Sequence, residues 1–323
     1  FDRQAGFINA ILRGSLRELP ETRQLIQRLE ADQPHIAGSH PEWLVERWTQ
    51  RWGRQRAIEL MAWNNTPPRT FARLNTLKAD GGKLIEQWRQ EGVDYDFVRR
   101  DWFPENLVFE LKSHPPLARL PSFEQGLFYV QDPSTLLSVQ ALASRPGESI
   151  LDLCAAPGGK LTYMAQVMGN EGEIVAEDVA EDRLKLIREN CARLGVTCAR
   201  LALSDLSENS AAQPKERYDR ILADAPCSNT GVMGRRVELR WRIKESEIQR
   251  LQTQQLGLLS RAAPQLKPGG KMVYSTCSLE PEENEQVVDQ FLAGHHAFRV
   301  ESQRLLTPFE DKVDGAFVAV LLK

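Results

Sequence analysis

The chain has 323 residues, of which 41% are hydrophobic and 26% charged, and a formal net charge of −3. This is the composition of a globular protein with a core large enough for two domains or one large one. There is no global basic excess, so any contact with nucleic acid must rest on a local patch. No apolar run approaches the ~18 residues of a spanning helix, and no signal peptide is recognisable, which makes a cytoplasmic enzyme without membrane contacts the default expectation. Five cysteines without short paired spacing argue against a disulfide framework and a structural zinc site. They read as free thiols, and no metal is expected.

The opening FDRQAGFINAILRG begins with Phe1 and already has helical periodicity through Phe7, Ile8, Ile11 and Leu12. The chain is therefore expected to start inside a fold. Residues 1–65 read as helical, with Trp43, Leu44, Trp48 and Trp52 close to one apolar face. Arg47, Arg51, Arg54 and Arg56 are interleaved with them and read as a solvated outer face or, less favoured, as an RNA-facing surface. NNTPPRT breaks the pattern. Residues 66–130 then give an extended RTFARLNTLKAD, a helix around GGKLIEQWRQEG, and extended pieces at DYDFVRR and NLVFELK, which together read as a small α/β unit. Arg69, Arg73 and Lys78 lie along its first strand, as phosphate contacts or as ordinary surface charge. LPSFEQGLFYVQDPSTLLSVQAL supplies a strand, a turn at Asp132-Pro133 and a helix. From there strands and helices alternate to the end of the chain, which predicts an α/β fold with a doubly wound, largely parallel sheet. No internal repeat or low-complexity tract interrupts it.

The stretch LDLCAAPGGK, residues 151–160, reads as a buried strand breaking into a glycine-rich turn that opens a helix. Ile150, Leu151 and Leu153 form the apolar run, while Pro157, Gly158 and Gly159 allow a sharp turn and close approach of a ligand. Such turns lie at the carboxyl ends of strands, where nucleotide-like ligands bind. Neither G-x-G-x-x-G nor a Walker-type loop is present, so a generic dinucleotide or triphosphate site loses ground. Glu177 and Asp178 end the next strand. Asp178 is placed to accept from a ribose, or to serve as a helix N-terminal acid. Asp205, ending the third strand, is placed to accept from an adenine amino group or to cap a turn. Two further strand ends each present a cysteine, Cys227 in DAPCSNTG and Cys277 in STCS. If these strands are neighbours, a spacing of about 4.8 Å brings both thiols within reach of one substrate. Cys154, Cys191 and Cys198 read as small buried hydrophobes.

Together, CAAPGGK, DAPCSNTG and YSTCSLEPEEN resemble the Sun/Fmu (RsmB-type) RNA cytosine-5 methyltransferases, in register from about Leu120 onward and more weakly through Arg73, Leu74 and Asn75. FDRQAGFINAILR resembles the last helix of the NusB-like RNA-binding domain of the bacterial ribosomal RNA members. The chain departs from the family where GVMGRRVELRWR replaces an Arg-Arg-His-Pro pattern, and in its last strand, DGAFVAVLLK. The resemblance implies a helical segment over 1–65 that includes the end of a NusB-like domain, a small α/β RNA-binding subdomain over 66–130, and a Rossmann-like S-adenosylmethionine-dependent methyltransferase domain over 131–323. It implies that Cys154, Ala155, Ala156, Pro157, Gly158, Gly159, Lys160, Asp178, Arg183, Asp205 and Asp224 hold S-adenosylmethionine. Cys277 becomes the nucleophile, Cys227 the cysteine that assists product release, and Asp224 a support for charge on the cytosine ring. The expected substrate is small-subunit ribosomal RNA, with transfer RNA as runner-up, and the expected state is a monomer. Arg235, Arg236, Arg240, Arg242 and Lys244 form the expected RNA patch. Two other classes remain. Intact cysteines argue against a non-catalytic RNA-binding assembly factor, and a separation of 50 residues between Cys227 and Cys277 argues against a C-x-x-C redox protein.

Overall fold

The structure, a computed structural model, describes residues 2–204 and 217–323. Two compact units are present: Phe1–Pro67 with Met233–Arg242, and Pro68–Val232 with Ile243–Lys323.

The larger unit contains two sheets. The first is antiparallel and is built from β1 (Thr70–Leu74), β2 (Asp94–Val98), β3 (Val108–Ser113) and β4 (Phe128–Val130), in the order β2-β3-β1-β4. The helix Gly81–Glu91 connects β1 to β2. Asp80 caps its start by accepting from the Lys83 N–H, and Gly92 ends it in the left-handed conformation that favours glycine. This helix buries Leu84 and Trp88, and the indole meets Phe109 and Phe128 edge-on with ring centroids 5.1 and 5.3 Å away.

The second sheet has seven strands: β5 (Ser149–Leu153), β6 (Glu173–Asp178), β7 (Ala199–Leu203), β8 (Tyr218–Asp224), β9 (Leu266–Thr276), β10 (Arg299–Leu306) and β11 (Ala316–Leu322), in the order β10-β11-β9-β8-β5-β6-β7. Strands β5 to β9 pair in parallel, and β11 pairs antiparallel with both β9 and β10. The last strand is therefore inserted between two others. Composition explains why: Phe317, Val318, Ala319 and Val320 are all buried and need cover on both faces, whereas β10 exposes Arg299, Glu301, Ser302 and Gln303 and can serve as an edge. Within β5, β8 and β9, successive side chains enter different cores. Ile150, Leu222 and Val273 join one cluster, and Leu151, Ile221, Ala223, Met272 and Tyr274 join the other, as a sheet covered on both faces requires. The chain order reverses at β5, with β6 on one side and β8 on the other, so the crevice at its carboxyl end is where a ligand fits.

The smaller unit is helical. Helix Glu42–Trp52 buries Leu44, Val45 and Trp48, and helix Arg54–Asn64 buries Ala57, Leu60 and Met61. Trp43 and Trp52 are only half-buried. Phe7, Ile8, Ile11 and Leu12 of helix Asp2–Arg17 are exposed. Arg54 donates to the Glu30 carbonyl at 2.8 Å and to that of Ala31, so it ties helices together. Arg240, named above in the basic patch, is buried. It donates to Asn65 Oδ1 at 2.6 Å and to the Asn64 carbonyl, which makes it a strut rather than a free phosphate ligand. His40 packs edge-on against Trp48, and burial, with Arg240 second, lowers its pKa to about 4. No described helix is long and apolar enough to cross a membrane.

Candidate active site

The turn after β5 is stapled from several sides. Cys154 and Gly158 both have positive φ, 61° and 97°, and Gly158 leads into the helix Gly159–Val167. The Ala155 N–H donates to the Glu177 carbonyl at 2.9 Å, and the Ala156 N–H donates to Asp178 Oδ2 at 3.0 Å. Asp178 is buried at the end of β6, and its Oδ1 accepts from the Val179 N–H at 2.8 Å and pairs with Arg183 Nε at 3.2 Å. Arg183 also donates to the Ala156 carbonyl, and Asn190 to that of Pro157. Asp178, expected at the ribose, and Arg183, expected at the cofactor, thus meet at the turn itself. A Cβ at Gly159 would lie 3.0 Å from the Tyr129 ring and 3.3 Å from Gln131 Nε2, so a larger residue there would have to push the Tyr129 and Gln131 side chains aside.

Beneath the turn lies Arg73, and here the expectation of a phosphate contact is corrected. Its guanidinium is fully buried and donates to Gln131 Oε1, to the Gly159 carbonyl at 2.8 Å and to Thr162 Oγ1 at 3.0 Å. It also lies over the rings of Tyr163 and Tyr129. Burial lowers its pKa to about 10, which leaves it charged at neutral pH. Lys78 is likewise committed, donating to the carbonyls of Gln125 and Arg193 at 3.0 and 2.7 Å. Arg69 pairs with Glu110 at 3.4 Å.

A cavity of about 210 Å³ opens over the turn, bounded by Tyr129, Gln131, Asp132, residues 154–157, Lys160 and Asp224. Its floor contains Asp152, which the sequence reading passed over. This carboxyl is 1% exposed, and neither oxygen has a hydrogen-bond partner. Burial, and then the charge of Asp224, raises its pKa well above the usual carboxyl range. The available signal was a lone acid in an otherwise apolar strand. At the cavity wall, Lys160 Nζ meets Asp224 Oδ2 at 2.6 Å, and the Ser275 hydroxyl donates to Asp224 Oδ1 at 2.8 Å. Burial opposes the charge on Lys160, but Asp224 outweighs it and the ammonium is held above its ordinary pKa.

Strands β8 and β9 are parallel neighbours with Asp224 opposite Ser275, and the turns that follow bring the sulfurs of Cys227 and Cys277 to 3.3 Å. Both are free thiols. Cys277 donates to Asn229 Oδ1 at 2.9 Å, and Asn229 in turn donates to the Cys227 carbonyl at 2.7 Å from a left-handed backbone position. The hydrogen bond with Cys277, followed by burial, raises the pKa of Cys227 well above that of an ordinary thiol. Burial pushes Cys154 and Cys191 up to about 12, and raises Cys198 as well, so these three stay neutral. Asp205 lies outside the described residues. Among the described residues no group of three His, Cys, Asp or Glu could hold a metal ion.

Comparison with known proteins gives this arrangement a family. Residues 139–321 match the 16S rRNA methyltransferase RsmB/F family, and residues 40–112 match the ferredoxin-like domain of RsmF/B-like methyltransferases. The "Probable ribosomal RNA small subunit methyltransferase B" of Bacillus subtilis is 35% identical over 91% of this chain, which spans 64% of that protein. The "Ribosomal RNA small subunit methyltransferase B" of Erwinia tasmaniensis is 36% identical over 98% of this chain, which spans 73% of it. A crystal structure of a methyltransferase homolog protein from Pyrococcus horikoshii superposes with a TM-score of 0.76 at 33% identity, covering 90% of this chain and 97% of that one. The chain belongs to the 16S rRNA methyltransferase RsmB/F family, whose methyl donor is S-adenosylmethionine.

Proposed function

We propose that the protein transfers a methyl group from S-adenosylmethionine to carbon 5 of a cytosine in small-subunit ribosomal RNA, through a covalent adduct with Cys277. The observation that carries this reading is the 3.3 Å approach of Cys227 and Cys277 beside the Lys160–Asp224 pair, at the wall of the cavity over the turn. The relatives named for the small ribosomal subunit support the choice of RNA.

The residues around the cavity fit the cofactor. The unpartnered Asp152 carboxyl suits an α-ammonium, and the N-terminus of helix Gly159–Val167 favours an α-carboxylate. Arg183 and Asp178, already joined at the turn, suit a ribose edge. When bound, the cofactor supplies an electrophilic methyl group. The protein must make carbon 5 of the cytosine nucleophilic, because that carbon is held in an aromatic ring. Addition of the Cys277 thiolate at carbon 6 breaks the aromaticity and makes carbon 5 enamine-like. Asp224, held by Lys160 and Ser275, is positioned as a hydrogen-bonding group for the ring. After methylation the carbon 5 proton leaves to a base, the carbon 6–sulfur bond breaks, and the thiolate is regenerated. Cys227, in contact with Cys277, assists that release. The base has to be unstacked to reach the thiols, which favours a looped or single-stranded RNA.

The two cysteines act at different moments, and this gives the test. With labelled RNA and S-adenosylmethionine, Cys227→Ser is expected to trap RNA on the protein as a band that survives a denaturing gel, with turnover reduced. Cys277→Ser is expected to give neither product nor band, because a serine hydroxyl is hardly ionised near neutral pH. A band from Cys277→Ser alone would exchange the two roles, and the absence of any adduct would remove the covalent mechanism. Mapping 5-methylcytosine in ribosomal and transfer RNA, with and without the gene, decides the substrate.

A further inference from the structure

We propose that Glu283 is a positioning residue that clamps the two cysteine turns together and so sets the distance between the thiols; this rests on the reading of Cys227 and Cys277 as the reacting pair.

Glu283 follows STCS in the short 3-10 turn Pro281–Glu283 and is completely buried. Its Oε1 accepts from the Ser228 N–H at 2.8 Å and from Gln255 Nε2 at 3.1 Å, and its Oε2 accepts from the hydroxyls of Ser228 and of Ser278, the latter at 2.5 Å. Ser228 directly follows Cys227, and Ser278 directly follows Cys277. One carboxylate thus holds the residue next to each thiol, while Gln255 fixes it to the helix Glu245–Ala262 and itself donates to the Pro226 carbonyl at 2.9 Å. The two serine hydroxyls lie 3.1 Å apart.

The chemistry of the donors argues that this is more than a filled gap. All four groups donating to the carboxylate are neutral, so no cation among them offsets the loss of water around a buried charge. What a carboxylate provides is two oxygens, each able to accept twice, which no other side chain of this size offers. The neighbouring groups extend the same lock. The Glu283 carbonyl accepts from the Tyr274 hydroxyl at 2.5 Å, while Asn284 accepts from Thr276 Oγ1 at 2.6 Å and donates to the Ser278 carbonyl at 2.9 Å. The end of β9 is therefore held on both sides of Cys277. As a lesser effect, the negative charge of Glu283 opposes ionisation of Cys227. That helps keep the second cysteine a thiol while the first attacks.

Glu283→Gln keeps the shape but places an amide nitrogen among groups that all donate. The test has one readout that needs no RNA. Phenylarsine oxide condenses with two adjacent thiols to form two arsenic–sulfur bonds with loss of water. Wild type is expected to bind it tightly, with Cys277→Ser as the control that abolishes capture at this pair. In Glu283→Gln, capture should weaken about tenfold or more, and kcat for 5-methylcytosine formation should fall by a similar factor. Affinity for S-adenosylmethionine and KM for RNA should stay within about twofold. Should Glu283→Gln fail to fold, Ser228→Ala and Ser278→Ala each remove one arm of the clamp and should show the same pattern in smaller measure. Arsenical capture and kcat per folded molecule both within twofold of wild type would overturn the proposal. Weakened capture in a protein whose wild type makes no 5-methylcytosine would keep the clamp and overturn the proposed reaction.

Discussion

Asp152 carries a carboxyl group into the apolar middle of the sheet and leaves both oxygens without a donor. Folding raises its pKa, so the stability linked to its proton is complete below the unfolded value of about 3.9 and is lost as pH rises through the folded value. Asp152→Asn removes that dependence. The variant is therefore expected to melt at nearly the wild-type temperature near pH 3.5 and to gain on wild type toward pH 7. Its affinity for S-adenosylmethionine should fall, because an amide presents a weaker acceptor to an ammonium. Melting curves at the two pH values and calorimetry with the cofactor check both halves. An equal gain at both pH values would show that the proton is not involved. Such trade-offs are common where a binding site is built at the expense of stability. At this scale the sequence singles out the two strand-end cysteines plainly, because each sits among turn formers at the end of an apolar run. It hides Asp152, whose meaning depends on what fails to surround it, and it makes Arg73 look like a surface cation. The groups that bury Arg73 include Gly159 and Thr162, which lie 86 and 89 positions further along the chain.

Among the elements, one tight joint lies behind the cysteines. The short turn Thr230–Val232 lies against the end of β9, with the Gly231 N–H donating to the Cys277 carbonyl at 2.9 Å and the Gly315 N–H donating to the Gly231 carbonyl at 2.8 Å. A Cβ on Gly231 would fall 2.7 Å from the Cys277 carbonyl oxygen and 2.7 Å from the Gly315 Cα, both backbone atoms that cannot swing aside. Gly231→Ala is expected to cost about 1–3 kcal/mol of stability and to reduce turnover more than cofactor affinity. Thermal melts, single-turnover kinetics and cofactor titration measure these separately. Unchanged melting and turnover would mean that the joint has slack. The alternation of strands and helices was readable because each segment's period is local. The neighbour relation of β8 and β9, on which the thiol pair depends, was only a condition in the sequence reading, since strand pairing is non-local. The insertion of β11 between β9 and β10 follows from apolar residues on both its faces, a pattern that marks an interior strand without naming its neighbours.

At the level of the larger unit, one apolar cluster runs from Phe71, Trp88 and Phe109 of the first sheet through Leu136 and Met164 to Val273 and Val318 of the second. The two sheets therefore share a core. A fragment of residues 131–323 is expected to lose that cover and to aggregate or melt well below the intact protein, as sedimentation and thermal melts would show; a soluble, cofactor-binding fragment would contradict this. Arg73 makes the link specific, since its guanidinium joins β1 to Gly159, the first residue of the helix after the β5 turn. Arg73→Lys keeps the charge but has no planar fork to reach Gln131, Gly159 and Thr162 together, and should weaken S-adenosylmethionine binding measured by calorimetry, although Arg73 supports residues of the cavity wall without lining the cavity itself. Unchanged affinity would show the strut to be dispensable. For anyone replacing the first sheet with a different module, the seam does not fall at the NNTPPRT break. The donor module must bring its own arginine on the first strand and the Tyr129 and Gln131 surroundings with it, so exchange of parts is constrained by a single buried cation.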